Sequence, residues 1–224
     1  MPRNAVASLV QRLYHRPVAI VTGPVNRGDG ISPAVALVDP KFPHNVGAAV
    51  RAASCYGIQQ VWFSGDRVQL RGARGYRLPR EERMRGYQEV ELRHSDAFFD
   101  AFDRDVTPVA VEVRAGSESL IEFEHPEKAL YVFGAEDGSL GKAVLRHCHR
   151  FVIIPTRHCT NLAAAVYTLL YDRHAKRVRA GLEPPHRLAE AREPSPRPTP
   201  WPMPSASAGA ADRTASALDR LDGD

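Results

Sequence analysis

The stretch "FVIIPTRHCTNLAAAVYTLLYD", residues 151–172, changes structural period midway. Its first four residues are apolar without interruption, as in a strand covered on both faces. Pro155 ends the run, because proline has no N–H to offer a ladder. Asn161 then has the side chain that caps free N–H groups at a helix start, and Leu162, Val166, Leu169 and Leu170 recur at helical spacing. A buried strand, a break and an amphipathic helix therefore follow one another.

The same alternation runs through the middle of the chain. Apolar, β-branched runs lie at 34–38, 60–63, 109–113, 129–133 and 151–154, with helical candidates at 46–56, 95–104 (after Ser95 as cap), 139–148 and 161–179. Strands apolar on both sides and separated by helices predict an α/β domain, a parallel sheet with helices on both faces. Upstream, Val6, Leu9, Val10 and Leu13 form a short helical stripe after a possible Asn4 cap, and "GPVNRGDGISP" reads as a linker. Downstream of Gly181, eight prolines fall between Pro184 and Pro204, followed by an Ala/Ser-rich end. The expected organisation is an amino-terminal helical arm and linker over 1–31, a main domain over 32–181 and a disordered Pro/Ala/Ser-rich tail over 182–224.

Composition narrows the class. The 224 residues are 43% hydrophobic and 25% charged. No apolar run approaches the roughly 18 residues of a membrane span, and Arg3 and Arg12 interrupt any signal-peptide core, so a cytoplasmic protein without membrane attachment is expected. Cys55, Cys148 and Cys159 cannot all pair within one chain, and a disulfide framework is not expected. The cluster of His147, Cys148, His149, His158 and Cys159 has adjacent residues that rarely converge on one tetrahedral ion, so no metal is expected. The net charge is +4, yet from Glu193 onward three arginines face five acids, so the positive charge belongs to the body of the chain. A basic body suits a polyanionic partner.

Three strand ends carry candidate chemistry. In "HNVGAAVRAASCYG", residues 44–57, Asn45 is placed as a helix cap and Arg51 lies one turn beyond Gly47 on the same face. Helical side chains lean towards the N-terminus, which would carry Arg51 towards the carboxyl end of the preceding strand, where open parallel sheets bind ligands. "YVFGAEDGSLG" ends a strand on Gly134 and Glu136, and the third end is Ile154, Pro155 and Asn161. Each admits a plainer reading: a cap with a surface arginine, a turn with a solvated acid, a second cap. "GSLGK" at 138–142 lacks the spacing of a phosphate loop, and neither a GxGxxG nor a Gly-x-Ser-x-Gly occurs at a strand end. Residues 67–85 carry seven arginines against two acids, with Tyr76 among them, a composition suited to phosphate contact and base stacking or to a solvated loop.

Taken together, Asn45, Gly47 and Arg51, then Gly134 and Glu136, then Ile154, Pro155 and Asn161 resemble the three ordered motifs of the SpoU (TrmH-like) class of SPOUT RNA methyltransferases. The resemblance spans about residues 32–178; Cys159 stands where the motif has serine and Thr160 where it has leucine. It implies a carboxyl-terminal deep trefoil knot, a homodimer and S-adenosyl-L-methionine as cofactor. The implied activity is methyl transfer to a ribose 2′-oxygen of RNA, with tRNA favoured over rRNA and no DNA. Carried over by residue, Arg51, Asn45, Glu136 and Asn161 would be catalytic, and Gly134, Ile154, Pro155 and Leu162 would hold the cofactor. With the family in view, Arg71, Arg74 and Arg77 are the expected RNA contacts. The other readings are an RNA-binding protein that keeps the fold without turnover, to which Cys159 points, and a nucleotide-binding α/β protein unrelated to RNA.

Overall fold

The computed structural model describes residues 20–68, 70–72, 75–76 and 89–185. The expected helix over 4–14 lies outside them, as does all of the tail beyond residue 185. In chain order the elements are β1 (Ile20–Thr22), β2 (Ala34–Leu37), α1 (Pro43–Cys55), β3 (Gln60–Phe63), β4 (Arg71–Gly72), β5 (Gly75–Tyr76), β6 (Glu91–His94), a 3-10 turn (Phe98–Ala101), β7 (Thr107–Val111), β8 (Glu118–Ser119), β9 (Ala129–Phe133), α2 (Lys142–Leu145), β10 (Arg150–Ile153) and α3 (Leu162–Arg179). Eight strands form one sheet in the order β1-β6-β3-β2-β9-β7-β10-β8. Its pairings are all parallel.

Period-2 alternation sorts the side chains onto two faces. Val35 and Leu37 of β2, with Tyr131 and Phe133 of β9, join α1 and α3 in one core cluster. Ala34 and Ala36, with Leu130 and Val132, face a second cluster with Phe98, Phe102 and Cys148. The expected α/β layering is present, but the second face is covered differently from the expectation. The helices foreseen over 95–104 and 139–148 are a 3-10 turn and a four-residue helix. Phenylalanine and aspartate are weak helix formers, and here Phe98 and Phe102 act as wedges. Gly30 shows how tight the fit is, since an added Cβ would lie 2.5 Å from the Phe102 ring.

The expected linker upstream of residue 32 is also corrected. Ile20–Thr22 pairs with Leu92–His94 at the sheet edge, and the amides of Gly28 and Gly30 both donate to Ala101 O. These residues belong to the folded body. Strands β6 and β8 were not foreseen either, because their sequences, ELRH and ES, carry no apolar run.

Strand β10 lies between β7 and β8, two strands that are consecutive in the chain. Helix α3 then returns to hold the segment after β8. Arg173, only 6% exposed, donates to Pro126 O at 2.7 Å, Glu127 O at 2.9 Å and the Tyr131 hydroxyl at 3.2 Å. His125 bridges Asp172 and Tyr131, at 2.8 Å to each. A carboxylate only accepts, so His125 Nε2 carries the hydrogen and Nδ1 accepts from the Tyr131 hydroxyl. Lys176 adds bonds to Leu120 O and Phe123 O. The helix ends in a Schellman turn, with Leu182 N–H to Arg177 O, Gly181 N–H to Val178 O and Gly181 at φ +70°.

This clamp is pH-sensitive in a definite direction. Burial lowers the His125 pKa to about 4, outweighing the favourable bond to Asp172. An unfolded histidine titrates near 6.5, so between these values the unfolded chain binds more protons and stability falls as pH falls. The wild-type melting temperature should drop between pH 7 and pH 5, and a His125→Gln variant, less stable overall, should show a shallower drop in the same calorimetric series.

Candidate active site

The carboxyl ends of β2, β9 and β10 bring the three candidate stretches together. At the head of α3, Asn161 Oδ1 accepts from Ala163 N–H at 2.9 Å and Ala164 N–H at 3.2 Å. With its oxygen used as the cap, its amide nitrogen must donate, and it does so to Asn45 Oδ1 at 3.0 Å. That orients Asn45 in turn, whose amide nitrogen donates to Glu136 Oε1 at 2.6 Å. The last acceptor is also bound by the backbone N–H groups of Lys41 at 2.8 Å and Phe42 at 3.3 Å. The row Asn161, Asn45, Glu136 has one polarity from end to end, each member donating towards the Glu136 carboxyl group.

Asn45 is therefore not the cap expected of it. Helix α1 starts two residues earlier at Pro43, whose fixed φ suits the first helical position. The preceding Phe42 has no capping side chain; instead Glu136, in the loop after β9, accepts from the N–H groups of Lys41 and Phe42 just before the helix. Asn45 itself is 8% exposed. Burial would raise the Glu136 pKa, but the Asn45 amide and the surrounding backbone N–H groups together hold it below the usual carboxylate range.

Beside the row lies a cavity of about 340 Å³. Phe133, Ile153, Ile154 and Leu162 give it apolar walls, while Gly134, Glu136 and Gly138 form a further side. Of the residues singled out from the sequence, Gly134, Glu136, Ile154 and Leu162 line this space; Pro155, Asn45, Asn161 and Arg51 do not. Arg51 is half-buried on α1 and makes no hydrogen bond or ion pair among the described residues. The structure thus unites Asn45, Glu136 and Asn161 and leaves Arg51 apart from them. Arg71 falls on β4, which pairs with β5 in a two-residue ladder; its side chain, together with Arg74 and Arg77, lies outside the described residues.

Several lining residues escaped the sequence reading. Glu112 follows β7 and accepts from Leu140 N–H at 2.8 Å and Val113 N–H at 3.0 Å, which holds the 138–140 turn against the cavity. Its signal was present, an acid directly after an apolar strand, the same pattern used for Glu136. Arg157, His158, Cys159 and Thr160 also line the space, and Thr156 Oγ1 closes their turn by donating to His158 O at 2.7 Å. Cys159 is an exposed free thiol. No group of His, Cys, Asp and Glu able to hold a metal occurs among the described residues.

A cavity at the carboxyl edge of a parallel sheet, built from strand-end loops and a helix start, defines a ligand-binding α/β domain. Residues 32–171 match the SpoU rRNA Methylase family, and the chain belongs to it. It is 26% identical over 166 residues to the tRNA (cytidine-2′-O-)-methyltransferase TrmJ of Methanocaldococcus jannaschii, covering 65% of this chain and 69% of that relative. A solved structure described as giving insights into the 2-OH methylation of C/U34 on tRNA superposes with a TM-score of 0.53 at 25% identity, over 66% of this chain and 96% of that one. The SpoU methyltransferase AviRb of Streptomyces viridochromogenes, in complex with AdoMet, shares the fold with a TM-score of 0.53 at 19% identity, over 70% of this chain and 66% of that one.

Two variants test what holds this edge together. A Cβ on Gly134 would stand 3.4 Å from Leu140 N and 3.5 Å from Gly138 O, so Gly134→Ala should melt within a few degrees of wild type. Asn45→Ala breaks the row in its middle and strands a charged acceptor, which should cost about 2 kcal/mol in denaturant unfolding.

Proposed function

We propose that this chain is an S-adenosyl-L-methionine-dependent RNA ribose 2′-O-methyltransferase acting on tRNA. The observation that carries the reading is the Asn161, Asn45, Glu136 row standing against the cavity in a chain of the SpoU family. The tRNA preference rests on the Methanocaldococcus jannaschii relative and on the structure concerned with 2-OH methylation of C/U34 on tRNA.

The residues present fit the cofactor. The cavity volume lies in the range of small-molecule sites. Its apolar walls suit an adenine, Gly134 leaves the backbone open, and the carboxylates of Glu112 and Glu136 suit a ligand carrying positive charge. When bound, the cofactor supplies an activated methyl group on a sulfonium. Gly134, Ile154 and Leu162 would hold it, with Pro155 setting the turn at the end of β10. The chain's part is to orient a ribose hydroxyl, a poor nucleophile, and to stabilise the charge that develops on its oxygen. Arg51, with no anionic partner among the described residues, is free to take the RNA phosphate and that developing charge. A guanidinium does not accept the proton, which must leave to another group. Asn45, Glu136 and Asn161 act one step back, as a rigid rail between α1 and α3.

A deep trefoil knot belongs to this reading. Its support is the position of β10 between the consecutive strands β7 and β8, and the pinning of residues 120–127 by Arg173 and Lys176. A homodimer with sites completed by both copies, a catalytic domain that takes in β1 and runs to residue 181, and cytoplasmic action on tRNA complete it. Among the described residues no helix is long and apolar enough to cross a membrane.

The deciding experiment is mass spectrometry of nuclease-digested tRNA and rRNA from cells lacking the protein. One 2′-O-methylnucleoside should be missing from tRNA and should return on incubation with purified protein and cofactor. A loss confined to rRNA would move the substrate, a missing base methyl would refute ribose chemistry, and no missing methyl would point to binding without turnover. Arg51→Ala should keep cofactor affinity within a few fold and lose about 100-fold in turnover, the scale of a removed transition-state contact.

A further inference from the structure

Basic side chains in this protein fall into two groups. Among the described residues several are committed to internal partners: Arg67 to Asp137, Arg93 to Glu91, Lys128 to Asp105, Arg150 to Glu118 and Arg177 to Glu183. Arg114, Lys142 and Arg146 make no ion pair among the described residues, yet all three are exposed and line one groove of about 500 Å³. Ser139 and Leu140 lie along it as well. Against its one acid, Glu112, the three basic side chains leave the groove a surplus of positive charge.

Position gives this surplus a meaning. Glu112 and Val113 line both this groove and the 340 Å³ cavity, and the 138–140 turn separates the two spaces. On the cavity side Arg157 also lacks an ion pair among the described residues. Arg114 is seated by its guanidinium, 4.5 Å from the Phe151 ring centroid, a contact that fixes the planar group without neutralising it. A pre-placed arginine, a lysine and a second arginine beside a hydroxyl form a track for successive phosphates rather than a pocket for one small anion.

Resting on the proposed RNA chemistry, we propose that the Arg114, Lys142 and Arg146 groove is a binding track for the RNA phosphodiester backbone, contiguous with the cofactor cavity. It is distinct from the arginine-rich segment 67–85. Its contribution is electrostatic and sequence-independent, acting on affinity and salt dependence rather than on the methyl-transfer step.

The test compares the full-length protein with the triple variant Arg114→Gln, Lys142→Gln, Arg146→Gln, using unfractionated tRNA as the probe over a range of salt concentrations. A control triple, Arg27→Gln, Arg104→Gln, Arg179→Gln, removes three exposed arginines elsewhere that also lack ion pairs among the described residues. The groove variant should bind tRNA at least about tenfold more weakly near 0.1 M salt, with a slope of log affinity against log salt shallower by roughly two units. Its melting temperature and S-adenosyl-L-methionine affinity should stay at wild-type values, and the control triple should leave the slope unchanged. Equal losses in both triples would mean diffuse attraction and overturn the track, as would an unaltered slope in the groove variant. A wild-type protein that binds the cofactor but no tRNA would remove the tRNA reading first and this assignment with it, whereas intact tRNA binding by the groove variant overturns this assignment alone.

Discussion

The donor order along Asn161, Asn45 and Glu136 is the constraint on which the site depends. It originates in an unavoidable need, the free N–H groups at the start of α3, which take the Asn161 oxygen. Every later orientation follows, because an amide whose oxygen is used has only its nitrogen left to give. The row ends on an acid that also accepts from the chain entering α1. One carboxylate thus serves a helix start, a cross-chain bond and a cavity wall. The two helix heads and the end of β9 become a single rigid edge.

Helix α3 is held as firmly along its other half. His125, Tyr131, Asp172 and Arg173 form a polar cluster under the segment between β8 and β9. Burial pushes the Tyr131 pKa up to about 12, so its hydroxyl stays a donor to His125 while accepting from Arg173. Polar groups this deep are tolerated because each has its partners. None of them lines the cavity; their work is to fix the helix whose first residue, Leu162, does.

The distribution of charge divides along similar lines. Ion pairs such as Arg67 with Asp137 are exposed and contribute little to stability, but each cancels a positive charge with a neighbouring acid. Arg51, Arg114, Lys142, Arg146 and Arg157 remain without ion pairs among the described residues. A protein that binds a polyanion needs such surplus where the ligand passes.

Local signals in the sequence determined the parallel α/β class, the apolar strands β2, β3, β9 and β10, helix α3 with its Asn161 cap, and three strand ends rich in Asn, Gly and Glu. Hydrophobic period and capping chemistry depend on near neighbours, so a single chain displays them. Tertiary structure alone decided the remainder. Strands β1, β6 and β8, which the sequence reading did not single out, exist because neighbouring strands offer them ladders. Phe98 and Phe102 shortened an expected helix by serving the sheet below them, and Glu112 acquired its role from an amide 28 residues away. Asn45 is the clearest case: its composition suggested a cap, but its partners lie 91 and 116 residues distant. A hydrogen bond is chosen by proximity in space and by which groups are left unsatisfied, and neither quantity is defined until the chain has folded.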